Sequence, residues 1–329
     1  MKYSRILLLA FLMAAGLSAA SCAVSASSDD SSQDRILKAW ININYPGLQA
    51  RPSGVYVLSM DSGSGSAITD SSYVFVHYTR TDLEGTVAST NYREKVAQLG
   101  NLESAGYYGS DIWRVDKGFI PEGLEDVIKG LRVGGSARIV MPVSASYVKS
   151  SVYDAFPSNE EANVVYSIFI DDVVSDITAW QEKMLNDFKD ANFQYLDSLR
   201  GGFYLKKMIE CPQDTVSEGD DVKVEYIGRL IENGMVFDTN IQDTAKLYRI
   251  YDDSRSYDPM TITYKAEEEA FFEENNIVKG FGYAIRNMNY GETAICFFLS
   301  DLGYGAGGSD PSIPEYAPLC FWIHIQEDD

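Results

Sequence analysis

Gly303-Tyr304-Gly305-Ala306-Gly307-Gly308, running on through Ser309-Asp310-Pro311-Ser312 to Ile313-Pro314-Glu315-Tyr316-Ala317-Pro318-Leu319-Cys320-Phe321, decides how this 329-residue chain is read. Its glycines satisfy G-x-G-x-x-G after a strand-like run. The Ser-Asp-Pro-Ser-Ile-Pro that follows cannot open the helix whose N-terminus would bind a pyrophosphate, so a dinucleotide site is excluded. The stretch gains meaning from what precedes it. Val224-Glu225-Tyr226, then Gly234-Met235-Val236-Phe237-Asp238, then Ile277-Val278-Lys279-Gly280-Phe281 lead to it in order.

Working outward, the same order recurs upstream. Tyr56 and Tyr204 stand 148 residues apart, as do Tyr78 and Tyr226, while Gly85 precedes Gly234 by 149 and Tyr147 precedes Tyr304 by 157. A constant offset broken only at loop-like segments is the trace of a duplicated domain with loop insertions. Leu124, Val127, Ile128 and Leu131 recur at helical spacing, and Phe281, Ala284, Ile285 and Met288 repeat them. Gly134 and Gly291 read as the C-terminal caps of these two helices. Ala137 to Met141 and Ala294 to Leu299 read as strands. Each unit also has a leading helix: Asp34 to Ile43, stopped by Pro46, and Ile177 to Phe193, opened by Ser175-Asp176.

The ordered blocks of residues 201–329 resemble an FKBP-type peptidyl-prolyl isomerase. The resemblance implies an α+β fold of two tandem FKBP-like domains, each an antiparallel sheet wrapped around a short helix, joined by a helical linker. The chain is then expected to divide into 1–22, a lipoprotein signal peptide read from its N-terminal residues; 23–50, a tether and leading helix; 51–175, a degenerate FKBP-like domain; 176–200, the linker helix; and 201–329, the isomerase domain. It also implies a site. Tyr226, Phe237, Phe281, Ile313 and Phe321 would form the walls and floor of a proline pocket, with Ile277 beside them. Asp238 would orient a neighbour and polarise the twisted amide, and the Val278 N–H and the Tyr304 hydroxyl would hold substrate carbonyls. Phe281 stands where the family usually has tryptophan, which keeps an aromatic floor without the indole N–H. In the first unit Ala88 and Ser89 replace the Phe-Asp pair, Leu124 replaces the aromatic floor, and Val148 replaces the glycine after Tyr147, so no isomerase activity is expected there. Ala266 to Asn276 is an acidic insertion just before the helix.

The chemistry of rotating an X-Pro bond requires no nucleophile, metal or cofactor, and none is expected. With two histidines, His77 and His324, far apart in sequence, a catalytic triad or histidine-rich metal site has little to build on. Cys211, Cys296 and Cys320 lack Cys-x-x-Cys spacing, and the latter two, in apolar runs, read as buried free thiols. A formal net charge of −21 repels polyphosphate backbones, so nucleic acid is not an expected partner.

At the N-terminus Lys2 and Arg5 precede the apolar run Ile6 to Leu17 and the small residues Ser18 to Ser21 before Cys22. That run is shorter than the roughly 18 residues a membrane span needs and reads as a signal peptide with Cys22 as the lipidated residue. The polar acidic run behind it reads as a tether. The expectation is a lipid-anchored protein of a bacterial cell envelope, at the outer membrane on its periplasmic or surface face. Its second domain would isomerise prolyl bonds in exported protein clients. The alternatives are a non-catalytic FKBP-like binding protein or chaperone, and a lipoprotein using the scaffold for a ligand unrelated to proline.

Overall fold

A computed structural model describes residues 30–116, 118–148, 156, 161–212 and 214–327. The signal peptide and Cys22 lie outside the described residues.

After helix α1 (Asp30–Asn44) come strands β1 (Tyr56–Asp61), β2 (Ser72–Thr81) and β3 (Val87–Thr90), helix α2 (Arg93–Gln98), β4 (Asp111–Val115), α3 (Glu122–Ile128), β5 (Ser136–Met141) and β6 (Val164–Val174). Helix α4 (Ile177–Asn192) leads into the second unit. There follow β7 (Phe203–Ile209), β8 (Asp221–Leu230), β9 (Val236–Thr239), α5 (Gln242–Leu247), β10 (Met260–Thr263), α6 (Glu268–Asn275), α7 (Lys279–Ile285), β11 (Thr293–Phe298) and β12 (Leu319–Ile325). Each unit forms an antiparallel six-stranded sheet, and the two sheets share one topology. The first runs β1-β5-β6-β2-β3 with β4 also on β2, and the second runs β7-β11-β12-β8 with β9 and β10 both on β8.

The registers agree residue by residue. Tyr78 pairs with Ile168 as Tyr226 pairs with Ile323. Beyond β2 the chain makes the same local structure twice. Asn91 Oδ1 accepts the Tyr78 N–H at 2.8 Å and Asn240 Oδ1 accepts the Tyr226 N–H at 2.9 Å. The Thr90 and Thr239 hydroxyls each donate to the carbonyl of those tyrosines. The offset holds at 149 as far as Asp111 and Met260, and rises to 157 at Leu124 and Phe281. The eight extra residues are accounted for by α6, an eight-residue helix held by the fully buried Phe271.

The leading helices belong to the repeat. Leu37 and Trp40 of α1 stand 148 residues before Leu185 and Phe188 of α4. Leu37 packs with Val140 and Val165 on the outer face of the first sheet, and Leu185 with Phe297 and Cys320 on the outer face of the second. Helix α4 begins at Asp176, whose carboxylate caps the N–H groups of Thr178 and Ala179 at 2.9 and 3.0 Å. Trp180 meets Phe75 of the first domain at 5.1 Å, and the Gln181 side-chain Oε1 accepts the Ser300 N–H of the second at 2.9 Å.

The glycine caps assigned to the core helices are corrected. α3 ends at Ile128 and α7 at Ile285. The chain then continues through tight i+3 turns, Leu131 N to Ile128 O at 2.9 Å and Met288 N to Ile285 O at 3.0 Å. These turns carry the apolar stripe past the helix proper, and Gly134 and Gly291 instead take the positive φ of the turn into the next strand. Cys296 and Cys320 are buried free thiols and Cys211 is a half-buried one.

Candidate functional site

In the second unit α7 lies across the concave face of the sheet, and its close approach depends on Gly280. A Cβ there would collide with the Phe298 ring. Phe281 thereby reaches the centre of an aromatic group, with ring centroids 5.5 Å from Tyr226 and 5.2 Å from Phe321. Phe237 meets Phe321 edge to face at 5.6 Å. Gly228 on β8 makes room for that pair, since a Cβ would lie 2.6 Å from Phe237 and 2.9 Å from Phe321. The resulting cleft of about 430 Å³ is lined by Tyr226, Phe237, Asp238, Met260, Asn276, Ile277, Val278, Phe281, Tyr304 and Phe321.

Polar groups gather at one wall. The Tyr226 hydroxyl donates to Asp238 Oδ2 at 2.6 Å and accepts from Arg255 Nη2 at 3.1 Å, while Arg255 Nη1 forms a short ion pair with Asp238 Oδ1. Burial, then the Asp238 charge, pushes the Tyr226 phenol up, which keeps its proton on. Tyr304 is raised by the same two causes in the same order. On the opposite side Val278 is the residue before the first turn of α7, where a backbone N–H has no acceptor within the helix.

The structure brings Tyr226, Phe237, Asp238, Ile277, Val278, Phe281, Tyr304 and Phe321 onto this one cleft. Ile313, expected in the wall, is not among the side chains that line the cleft. It is buried in the same core as Tyr226, Phe281 and Phe321. Arg255, Met260 and Asn276 were not foreseen. Arg255 is 17 residues beyond Asp238 on an irregular loop, and no periodicity marks it.

Among the described residues of the first unit, Ile120 and Tyr147, 157 residues before Ile277 and Tyr304, line a cavity of about 650 Å³ with Glu122, Glu125, Asp126 and Lys129, while Tyr78 and Leu124 are buried in the core. Trp113 pairs with Val74 on β4, as Ile262 pairs with Val222 on β10, and its ring lies 5.4 Å from Tyr78. Phe156, 157 residues before Ile313, packs on Trp113 at 5.0 Å. Both rings belong to the buried core of the first unit, where Ile262 and Ile313 belong to that of the second. Ser89 and Gly106 stand where Asp238 and Arg255 would be, so that ion pair has no counterpart at these positions.

His77, Ser110 and Asp171 also meet, which their separation in sequence did not foretell. His77 Nδ1 lies 2.6 Å from Asp171 Oδ2, and the Ser110 hydroxyl donates to that same oxygen at 2.7 Å. A proton relay needs the serine and the acid on opposite ring nitrogens. Here both partners face Nδ1, so the trio is not a nucleophilic triad. Among the described residues no cluster of side chains suits a metal ion.

Residues 213–326 match the sequence model of the FKBP-type peptidyl-prolyl cis-trans isomerases. The short-type peptidyl-prolyl cis-trans isomerase of Methanocaldococcus jannaschii is 33% identical over 90 residues, covering 27% of this chain and 51% of that protein. Peptidyl-prolyl cis-trans isomerase FKBP10 of Bos taurus is 23% identical over 258 residues, 78% of this chain and 34% of its own length. The chain thus spans about a third to a half of these relatives. A solved structure of the three FKBP domains of wheat FKBP73 aligns over 85% of this chain and 98% of its own, at 17% identity and a TM-score of 0.30. With the matched segment, the aromatic cleft and the duplicated sheet order together, residues 213–326 are an FKBP-type domain, and the chain carries its fold twice in tandem.

Proposed function

We propose that the second domain is a peptidyl-prolyl cis-trans isomerase acting on exported protein clients, and that the first has lost this activity. The observation that carries the reading is the Tyr226, Asp238 and Arg255 array on the wall of an aromatic cleft large enough for a prolyl ring. Amide resonance sets a barrier of about 18–20 kcal/mol to rotation of the C–N bond. An enzyme lowers it by binding the twisted amide better than either planar form. The aromatic floor strips water from the prolyl ring and weakens resonance, because the charge-separated amide is less favoured in a dry site. The fixed dipoles and charges at Asp238 act on the nitrogen and carbonyl as they leave the plane. The Val278 N–H and the Tyr304 hydroxyl hold the flanking carbonyls. A ten-thousandfold acceleration asks for roughly 5.4 kcal/mol, within reach of such contacts.

A second reading, a binding protein or chaperone without catalysis, is favoured by one observation. Phe281 presents no N–H at the cleft floor. The test is an uncoupled prolyl isomerisation assay on the full chain, with wild type beside Asp238→Ala and Phe281→Trp. Acceleration by wild type and its loss in Asp238→Ala support the isomerase. A silent wild type that still binds proline peptides, with activity gained in Phe281→Trp, supports the binder.

For location, we propose anchoring through a lipid on Cys22 in a bacterial envelope, on the strength of the charged, apolar and small-residue order before it. Metabolic labelling with a palmitate analogue, lost in Cys22→Ser, tests it. Among the described residues no helix is long and apolar enough to cross a membrane.

A further inference from the structure

The segment 304–318 of the second domain carries Tyr304 to the cleft and Ile313 to the buried core, yet much of its support comes from the first domain. Tyr316 is only 8% exposed and belongs to the first domain's core, where its ring meets Tyr73 edge to face at 5.3 Å. Ala306 packs against the same core. Tyr107, on the first domain's α2–β4 loop, donates its backbone N–H to the Pro311 carbonyl at 2.7 Å. Its ring packs on the second domain's core, and its hydroxyl donates to Glu232 Oε2 at 3.0 Å on the β8–β9 hairpin. Gly109 is required for this pose, because a Cβ there would overlap the Tyr107 hydroxyl.

Within the segment, cross-links make these anchors and the cleft residues move together. Ser309 N and Ile313 O are 2.7 Å apart, Ile313 N and Ser309 O 2.9 Å, and Tyr316 N and Gly305 O 2.9 Å. The start of the segment is held from the linker helix, since Gln181 takes the Ser300 N–H and Ser300 O receives Gly303 N and Gly305 N at 2.7 and 2.8 Å. A segment rich in glycine and without regular structure would otherwise sample many conformations, and each would have to be lost on binding substrate.

We propose that the first domain, emptied of its own site, serves as the fixed support of the second domain's substrate loop, with Tyr107 and Tyr73 as its positioning residues. The role rests on the isomerase reading for its consequence in catalysis, but not for its structural content. Freed from Tyr107 and Tyr73, the loop would carry Tyr304 away from its place on the cleft wall. Substrate would then bind more weakly while the chemistry of the Asp238 wall stayed intact.

The experiment uses the full chain as wild type, Tyr107→Phe, Tyr107→Ala and the double variant Tyr73→Ala/Tyr107→Ala. It reads amide hydrogen exchange of segment 303–318 against strand 293–298, and kcat and KM on an X-Pro peptide. We expect exchange in 303–318 to rise about tenfold or more in the double variant while strand 293–298 stays protected. KM should rise severalfold with kcat little changed, and Tyr107→Phe, which keeps ring and backbone, should stay near wild type. Unchanged exchange in 303–318 in the folded double variant overturns the proposal. So does an equal rise in strand 293–298, which would mean general loss of stability. If wild type does not accelerate isomerisation, the isomerase reading falls, and the exchange comparison alone decides the support role.

Discussion

Trp113 occupies in the first sheet the register position that Ile262 holds in the second, and it lies fully buried with its ring 5.4 Å from Tyr78. Phe156 packs on the same indole at 5.0 Å, so this core position carries a large aromatic pair in the first unit and an aliphatic residue in the second. The framework tyrosine is common to both units. Replacing Trp113 by alanine should therefore destabilise the first domain by about 3–5 kcal/mol through the cavity it leaves. Denaturant titration of the full chain checks this, and a loss below about 1 kcal/mol would mean the ring does not fill that space.

Arg255 neutralises Asp238 and donates to the Tyr226 hydroxyl. Arg255→Met should leave the fold intact, since the residue sits on an exposed-edged loop, while releasing the carboxylate to swing from the wall. We expect kcat/KM on an X-Pro peptide to fall by roughly tenfold, a loss of about 1.4 kcal/mol of transition-state stabilisation. An unchanged value would show that Tyr226 alone fixes the carboxylate.

Gly228→Ala is a smaller change in a less forgiving place. The new methyl would stand 2.6 Å from Phe237 and 2.9 Å from Phe321, against two rings of the cleft floor. Overpacking of this kind costs about 1–3 kcal/mol. Peptide affinity should drop together with thermal stability. The same substitution at Gly234, whose Cβ would meet nothing within 4 Å but whose φ is +72°, should cost stability through backbone strain and leave peptide affinity alone.

Acid groups crowd the contact between the domains. Burial raises the Asp111 carboxyl to about 6 against the pull of the Asn91 amide, with Asp310 adding repulsion and His77 opposing it. Burial, then Asp111, raises Glu315 well above the ordinary glutamate range, although the Ile112 N–H works the other way. Tyr107, Tyr78 and Glu232 complete the surroundings, and burial raises Glu232 too. A carboxyl with a raised folded-state value holds its proton in the folded protein after the unfolded chain has released it. Its contribution to stability is therefore fully present below the unfolded value of about 4 and is lost as pH rises through the folded one. Docking of the domains should be tighter at pH 5 than at pH 8, read as slower exchange of segment 303–318 after correction for the intrinsic rate. Asp111→Asn with Glu315→Gln should flatten that dependence, and a profile unchanged by the pair would refute it.

Much of the architecture is written in one dimension. The repeated offsets of 148 to 157, the apolar stripe that begins at Leu124 and its echo from Phe281, and the cleft aromatics Tyr226, Phe237, Phe281 and Phe321 lie in strands and helices. There a fixed period ties position in sequence to a face in space. Helix ends were less legible, because tight turns carried Leu131 and Met288 onto the core face after the helices had stopped.

What the tertiary structure alone decided lies in the loops and in the registers between distant strands. Arg255 reaches Asp238, Ile313 joins the buried core, Phe156 meets Trp113, and Tyr107 crosses to the second domain. An irregular segment has no period from which a side chain's direction could be read. Its partners are fixed only when sheet register and loop path bring residues far apart in the chain within a few ångströms of one another.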